Sequence, residues 1–236
     1  MKREIAISDI HGCYLTFLKL LEAINYSNSS DKLYILGDCI DRGPSSKQVL
    51  DWIMENQNDG AEIMVLRGNH EQMMLRANET VKRYTKWMRN GGQQVVESFQ
   101  VENFLDIEKK YWDFINELPY YIVSDKYVFV HAGLNFDLEN PLEDLESIIW
   151  IRHWYDNLNK DWLGDKIILH GHTQVSVSEI EDQFDDLERD KVINIDAGCY
   201  AANYNMELGY LCAFDLTNRK LFFEKNIDSV TWFPPI

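Results

Sequence analysis

The first third of the chain repeats one unit three times: a short apolar run, a polar tip flanked by glycine, and an amphipathic segment. The apolar runs EIAIS, KLYILG and EIMVLRG have the length of buried strands. The segments YLTFLKLLEAI and SKQVLDWIMEN have the period of helices, and EQMMLRA begins another. This βαβαβ alternation predicts parallel strands with helices packed outside them.

The last part of the chain has a different pattern, which predicts a second sheet. YYIVSDKYVFVHAG is typical of two strands around a Ser-Asp-Lys turn, and KIILHGH of another buried strand. KVINIDAG, GYLCAFDL and KLFFEKN are interpreted as antiparallel strands with short turns. We therefore predict an α/β fold of the mixed α+β kind, with a core of two packed mixed β-sheets flanked by helices.

A mostly helical segment separates these two parts at residues 78–118 and contains the break NGG. We predict that it is a cap inserted into a single domain that covers residues 1–236. A chain of 236 residues with 45% hydrophobic residues is large enough to form one substantial core.

Five of the predicted strands end in polar side chains next to glycine. These side chains are Asp9, His11, Asp38, Asp41, Arg42, Asn69, His70, His131 and His172. Ligands of open α/β sheets bind beyond the carboxyl ends of the strands, so these tips are expected to converge on one crevice. Four of the six histidines fall in the tips, which a chance distribution would rarely produce.

Carboxylate, imidazole and amide groups together are a ligand set for divalent first-row metals such as Mn, Fe, Co or Zn. The cysteines show no CxxC spacing, which argues against a structural thiolate zinc site. The candidate ligands are Asp9, His11, Asp38, Asn69, His131 and His172. They exceed the needs of one ion, and a shared Asp38 would let them hold two ions that activate a bridging water. His70 is then free to act as an acid.

The formal net charge of −16 argues against partners with anionic surfaces. Such a protein repels phosphate backbones, so we predict no nucleic-acid and no membrane partner. The N-terminus lacks the apolar core of a signal peptide, and no stretch approaches the ~20 apolar residues of a membrane span. The four scattered cysteines are typical of reduced thiols, and a cytoplasmic location is expected.

The motifs SDIHG, GDCIDRG, RGNHE, HAG and GHT, in that order, resemble the phosphoprotein phosphatase branch of the metallophosphoesterases. The similarity is greatest to the small bacterial and lambda-phage type of serine/threonine protein phosphatase, and RGNHEQMM, NGG and WIR strengthen it. The resemblance covers residues 5–198. Ser8 stands where this family usually has glycine, and SDxHG also occurs in wider metallophosphoesterases.

The resemblance implies the division of the candidate ligands between two metal sites. The first site is implied to contain Asp9, His11 and His172, the second Asn69 and His131, and Asp38 would bridge both. Two divalent ions are therefore expected. Manganese is the expected metal, with iron, zinc, cobalt and nickel as alternatives.

The resemblance also implies four roles outside the metal sites. His70 corresponds to the general acid that protonates the leaving group, and Asp41 to its carboxylate partner. Arg42 and Arg152 correspond to arginines that hold the phosphate, and the guanidinium fork suits phosphate oxygens. A carboxylate beside His70 is expected to keep its imidazole protonated.

Two further residues, His170 and Cys39, lie next to the motifs. His170 is interpreted as a strand-end residue that supports the site. Cys39, between Asp38 and Asp41, is interpreted as a small buried side chain, with a redox-sensing thiol as the alternative.

The sequence thus predicts an enzyme: a dinuclear-metal-dependent phosphomonoester hydrolase. Its expected class is a serine/threonine protein phosphatase, in which a metal-bridging hydroxide attacks phosphorus and His70 acts as general acid. Phosphorylated proteins or peptides are the expected substrates. The alternative on the same scaffold is a symmetrical diadenosine tetraphosphate hydrolase. A non-catalytic module is disfavoured because no candidate ligand is missing, and a nuclease because of the negative charge.

Overall fold

The computed structural model describes residues 2–234, in which the strands form two sheets. The strands of the first sheet are β1 (Arg3–Ile7), β2 (Asp31–Ile35), β3 (Glu62–Val65), β8 (Tyr210–Asp215) and β9 (Lys220–Lys225). Their order across the sheet is β3-β2-β1-β8-β9. The first three are parallel to one another, and β8 and β9 are antiparallel to their neighbours. The predicted βαβαβ unit is confirmed.

The second sheet contains β4 (Tyr121–Val123), β5 (Tyr127–Val130), β6 (Ile167–His170) and β7 (Val192–Asn194), in that order. The predicted hairpin at the Ser-Asp-Lys turn is confirmed, since β4 and β5 pair antiparallel. The expectation of antiparallel pairing for KVINIDAG is wrong, because β7 runs parallel to β6. The acidic stretch between these two strands forms helices that carry the chain back for a parallel crossover.

Ten α-helices lie among the described residues. They are α1 (Tyr14–Ala23), α2 (Ser46–Asn58), α3 (Asn69–Leu75), α4 (Val81–Trp87), α5 (Gln93–Phe99), α6 (Lys109–Glu117), α7 (Leu145–Trp150), α8 (Lys160–Leu163), α9 (Val177–Asp185) and α10 (Leu187–Asp190). The segment 78–118 contains α4, α5 and α6, which contact α2 and α3. Its assignment as a cap on a single domain stays a prediction.

The core follows from the alternation of side chains along the central strand β1. Ile5 and Ile7 point to one face of the first sheet, where they pack with Phe17 of α1. Ala6 points to the opposite face and belongs to the apolar layer between the two sheets. In that layer the rings of Tyr34 and Phe129 stack with centroids 4.1 Å apart. The predicted pair of packed mixed sheets flanked by helices is confirmed.

Within residues 2–234, no helix combines the length and the apolar character needed to cross a membrane. The cytoplasmic location stays a prediction.

Candidate functional site

The polar tips of five strands come together at one edge of the two sheets. Asp9 and His11 follow β1, Asp38 follows β2, Asn69 follows β3, His131 follows β5 and His172 follows β6. All six side chains are at least 96% buried. Parallel strands bring their carboxyl ends to the same edge, and this explains the convergence.

Asp38 lies at the centre of the cluster. Its Oδ2 atom is 3.5 Å from His11 Nε2, 3.4 Å from His131 Nε2 and 3.8 Å from His70 Nε2. Two groups whose ligand atoms lie close enough to hold a metal ion both contain this carboxylate. One group adds His11 and His70, and the other adds His131 and His172. Asp38 is therefore positioned to be shared by two ions.

Asn69 joins the second of these groups. Its Oδ1 atom is 2.9 Å from His131 Nε2 and 2.9 Å from His172 Nδ1. His172 thus lies with Asn69 and His131, whereas the resemblance implied a place with Asp9 and His11. Only its backbone N–H contacts Asp9, at 3.2 Å. The ligand roles themselves stay predictions.

The ring orientations of the histidines fit metal binding. His11 Nδ1 lies 3.0 Å from the carbonyl oxygen of Ile40, and His131 Nδ1 lies 2.9 Å from that of Leu36. A ring that donates through Nδ1 to a carbonyl presents the lone pair of Nε2 to a cation. The buried Nε2 atom of His172 has no hydrogen-bond partner within residues 2–234, which a cation would supply. The donor set therefore fits divalent metal ions, and its chemistry does not select one metal.

His70 faces the cluster from the first turn of α3 and is held by Asp41. The Nδ1 atom of His70 lies 2.5 Å from Asp41 Oδ2, and the Trp87 indole donates to Asp41 Oδ1 at 3.0 Å. The Nε2 atom of His70 is 2.7 Å from a guanidinium nitrogen of Arg42. The imidazole is thereby fixed with Nε2 towards the site.

The two predicted phosphate-binding arginines approach the cluster from different directions. Arg42 contacts His11 Nε2 as well as His70, and its guanidinium lies 4.2 Å from the ring centroid of Tyr200. Arg152 is exposed and donates to Thr173 Oγ1 at 2.8 Å. Arg42 therefore stands within the cluster, and Arg152 stands at its mouth.

The backbone around the cluster is held in unusual conformations. Ten non-glycine residues among those described have a positive φ, and half belong to the site: His11, Asp38, Asp41, Arg42 and His172. Such conformations cost free energy and persist where the surroundings enforce them. Glu71 provides part of that enforcement, because its carboxylate accepts the backbone N–H groups of Asp38, Cys39 and Gly68.

Glycine allows two of these loops to approach each other. A Cβ atom on Gly68 would clash with the carboxylate of Asp38, and one on Gly171 would clash with that of Asp9. The glycines next to the polar tips are therefore required for the close packing of the candidate ligands.

Burial and neighbouring charges raise the pKa of some side chains in the cluster and lower that of others. Burial raises the pKa of Asp9 to about 6 and lowers that of His11 to about 3. Burial also opposes protonation of His131, but the carboxylates of Asp38 and Asp9 outweigh it and raise the pKa of His131 to about 10. The carboxylates of Asp38 and Asp9 therefore favour positive charge at this position, which a bound cation would also supply.

The expectation that Asp41 keeps His70 protonated is wrong. Burial, and next the charge of Arg42, lower the pKa of His70 well below its usual value. Burial raises the pKa of Asp41 well above its usual value. The sequence did not reveal that Arg42 lies between the two imidazoles and opposes their ionisation.

Two residues at the site were not singled out from the sequence. Asp196 is buried after β7, and burial with the nearby Asp9 raises its pKa well above the usual range. The motif DAG that contains it has the same glycine-flanked strand end as the other tips and could have identified it. Tyr200 packs edge to face against His11, with ring centroids 4.8 Å apart. No local signal in the sequence distinguishes it from a core tyrosine.

Cys39 and His170, which lie next to the motifs, are both buried. Burial raises the pKa of the Cys39 thiol well above its usual value, which favours the small buried side chain over a redox-sensing thiolate. His170 Nε2 is 2.6 Å from the hydroxyl of Tyr155, and its ring lies against Trp154. His170 therefore supports the strand end behind His172.

Comparison with known proteins gives a family and a set of relatives. The model of the family described as calcineurin-like phosphoesterase matches residues 3–205. A symmetrical bis(5'-nucleosyl)-tetraphosphatase from Nitrosospira multiformis is 31% identical over 186 residues, which are 73% of this chain and 62% of that protein. Serine/threonine-protein phosphatase 1 from Salmonella typhimurium is 38% identical over 86 residues, 36% of this chain and 37% of that protein.

A solved structure of a candidate diadenosine tetraphosphatase has the same fold. It superposes with a TM-score of 0.65 at 18% identity and covers 95% of this chain and 94% of its own. This chain spans about 62% of the length of the Nitrosospira relative.

The prediction of phosphorylated proteins or peptides as substrates is wrong on this comparison. The Nitrosospira relative, which is named for bis(5'-nucleosyl) tetraphosphates, matches 73% of this chain, whereas the Salmonella protein phosphatase matches 36% of it. The motifs that suggested a protein phosphatase are those predicted to hold metals and phosphate. Both classes of enzyme act on phosphate groups, so these motifs cannot distinguish the two classes.

Proposed function

This chain belongs to the calcineurin-like phosphoesterase family, and we propose that it hydrolyses dinucleoside tetraphosphates symmetrically into two nucleoside diphosphates. The predicted metallophosphoesterase family and hydrolase class are confirmed, but the narrower resemblance to phage-type protein phosphatases is not. The substrate is proposed from the Nitrosospira relative, of which this chain spans 62%. The hydrolase itself rests on one observation above all: the Asp38 carboxylate lies within 4 Å of three imidazoles at the meeting point of the strand ends.

We propose that the six candidate ligands hold two divalent ions, with Asp38 shared between them. The other ligands are Asp9, His11, Asn69, His131 and His172. When bound, such ions supply Lewis-acid chemistry, which makes a water molecule more acidic and offsets negative charge on phosphoryl oxygens. Manganese remains the proposed metal.

Arg42 and Arg152 bind the phosphate chain in this proposal. Burial, and next the charge of His131, lower the pKa of His172, and both guanidinium groups lie near enough for their charges to lower it further. Arg42 contacts the imidazoles of His11 and His70. When His11 binds a metal and His70 faces the substrate, the guanidinium of Arg42 is free to bind phosphate oxygens. Arg152, at the mouth of the cluster, is positioned to bind the part of the phosphate chain that extends out of the site.

In this proposal His70 becomes the acid for the leaving oxygen once Arg42 turns from its Nε2 atom to the phosphate, and Asp41 fixes its ring. The Nδ1 contact with Asp41 keeps Nε2 directed into the cluster. A nucleoside diphosphate leaves as a phosphate oxygen, whose second pKa is about 6, so it needs a proton less than an alkoxide does. The structure thus suits anhydride cleavage with a modest contribution from the acid.

The test is hydrolysis of diadenosine tetraphosphate by the purified chain with added manganese. ADP as the sole nucleotide product supports the proposal. ATP with AMP, or no cleavage while p-nitrophenyl phosphate is hydrolysed, contradicts it. Two inactive controls are used. Asp38→Asn removes the shared carboxylate ligand, and a chelator removes the ions from the wild type.

A further inference from the structure

A groove of about 340 Å³ lies beside the candidate site and is lined with basic residues. Its walls come from α3 and the turn after it, from α4 and from α7. The lining residues are Gln72, Met73, Arg76, Thr80, Lys82, Arg83, Lys86, Glu146 and Trp150. Nothing in the proposed chemistry uses this groove.

The charge of the groove contrasts with that of the chain. The chain carries a net charge of −16, yet four of the nine lining residues are cationic and one is acidic. Glu79 pairs with Arg76 and Arg83. Lys82 and Lys86 have no ion pair within residues 2–234, and both are exposed. Two cations there are therefore available to an anionic ligand.

The groove is continuous with the candidate site through α3 and Trp150. The helix α3 begins with Asn69 and His70 at the site and continues to Gln72 and Met73 in the groove. The ring centroid of Trp150 lies 6.3 Å from that of His172, and the ammonium of Lys86 lies 4.1 Å from the same indole. A ligand held at the metal cluster would therefore reach the lysines by passing the indole.

We infer that this groove binds one nucleoside diphosphate half of the substrate, and this inference rests on the proposed function. A dinucleoside tetraphosphate cleaved in the middle carries a nucleoside diphosphate on each side of the reacting phosphorus, and one needs a place outside the cluster. Lys82 and Lys86 are placed to bind its phosphate oxygens as point charges. The half-buried indole of Trp150 lies beside Lys86, and the part of it that the ammonium does not cover is available to the nucleoside.

Product inhibition separates this inference from the proposed function. Hydrolysis of p-nitrophenyl phosphate is measured in manganese with increasing ADP, for the wild type and for Lys82→Ala/Lys86→Ala. The loss of both exposed lysines is expected to weaken ADP inhibition by about tenfold. The turnover of p-nitrophenyl phosphate is expected to change far less, because that ester is too short to reach the groove. Lys109→Ala removes another exposed lysine, which lies outside the groove, and should leave ADP inhibition as in the wild type.

The outcomes are distinct. Weaker ADP inhibition in the double variant alone supports the groove, even if the wild type fails to cleave diadenosine tetraphosphate. Equal ADP inhibition in wild type and double variant overturns it, even if diadenosine tetraphosphate is cleaved to ADP. Inhibition by inorganic pyrophosphate as strong as that by ADP would overturn the role of Trp150 in holding a nucleoside.

Discussion

The two ends of strand β1 carry charged groups that are arranged in opposite ways. At the amino end, Arg3 bonds to Asp31 at 3.0 and 2.7 Å and lies 3.7 Å from Asp215. At the carboxyl end, Asp9 and His11 enter a cluster in which burial disfavours the ionised form of both. Charges at the first end pair with one another, whereas those at the second are arranged as candidate ligands for a cation.

The difference indicates which end serves stability and which serves chemistry. A paired and hydrogen-bonded carboxylate such as Asp31 adds to the free energy of unfolding. A buried carboxylate with a raised pKa, such as Asp9, subtracts from it at neutral pH. The positive φ angles of His11 and Asp38 add a further cost at the same end. The region where the metal ligands are expected therefore lowers the free energy of unfolding.

The largest contrast is expected for Asp9→Asn. Loss of a metal ligand should lower turnover by about 10³-fold, since the ions supply several kcal/mol of transition-state stabilisation. In chelator, the same change should raise the free energy of unfolding by up to about 3 kcal/mol above pH 6. The sign follows from the raised pKa of Asp9. Ionisation of this buried carboxyl lowers the free energy of unfolding as pH rises from its unfolded pKa through about 6. Denaturant unfolding at pH 5 and pH 8 measures it, and a destabilised variant at pH 8 would contradict the comparison.

The second contrast concerns His70→Asn, which removes the acid and leaves the candidate ligands in place. Turnover of an alkyl phosphate should fall by ~10²–10⁴-fold. Turnover of diadenosine tetraphosphate should fall much less, because its leaving phosphate oxygen needs a proton less than an alkoxide does. Initial rates on both substrates at saturating manganese measure this, with metal content as the control. Equal losses on both would remove His70 from the role of acid.

At the other end of β1, Asp31→Asn should have the opposite signature to Asp9→Asn. It should lower the free energy of unfolding by about 2 kcal/mol at pH 7 and leave turnover unchanged. Burial opposes ionisation of Asp31, but hydrogen bonds from Arg3 and the backbone of Ser27 outweigh it and lower its pKa. Its contribution is therefore present above pH ~4 and lost as pH falls through the folded pKa. A difference between variant and wild type that persists undiminished at pH 3 would refute the assignment.

The smallest effect is expected for Lys109→Ala. Lys109 pairs with Asp113 one turn along α6, but both side chains are more than half exposed. Water and salt screen such a pair, so the free energy of unfolding should change by less than ~0.5 kcal/mol. Thermal unfolding at low and high salt measures it. A larger loss would mean that exposed pairs contribute as much as the buried pair at Arg3, and the comparison would fail.

Much of the site could be predicted because each motif is local. The tips SDIHG and RGNHE place Asp9, His11 and Asn69 directly after strands, and the parallel order of those strands forces them together. The parallel pairing of β7 could not be predicted, since its apolar run fits either direction. Asp196 could have been found by the same rule as the other tips.

The sequence by itself determined the donor atoms and their order along the strands, and these indicate a metallophosphoesterase with a candidate metal cluster. The tertiary structure alone decided which groups are neighbours. It placed His172 beside Asn69, set Arg42 between two imidazoles, and brought Lys86 within reach of Trp150. The physical reason is that ligand type follows from the side chain, whereas charge coupling and the shape of a binding groove depend on distances between distant parts of the chain.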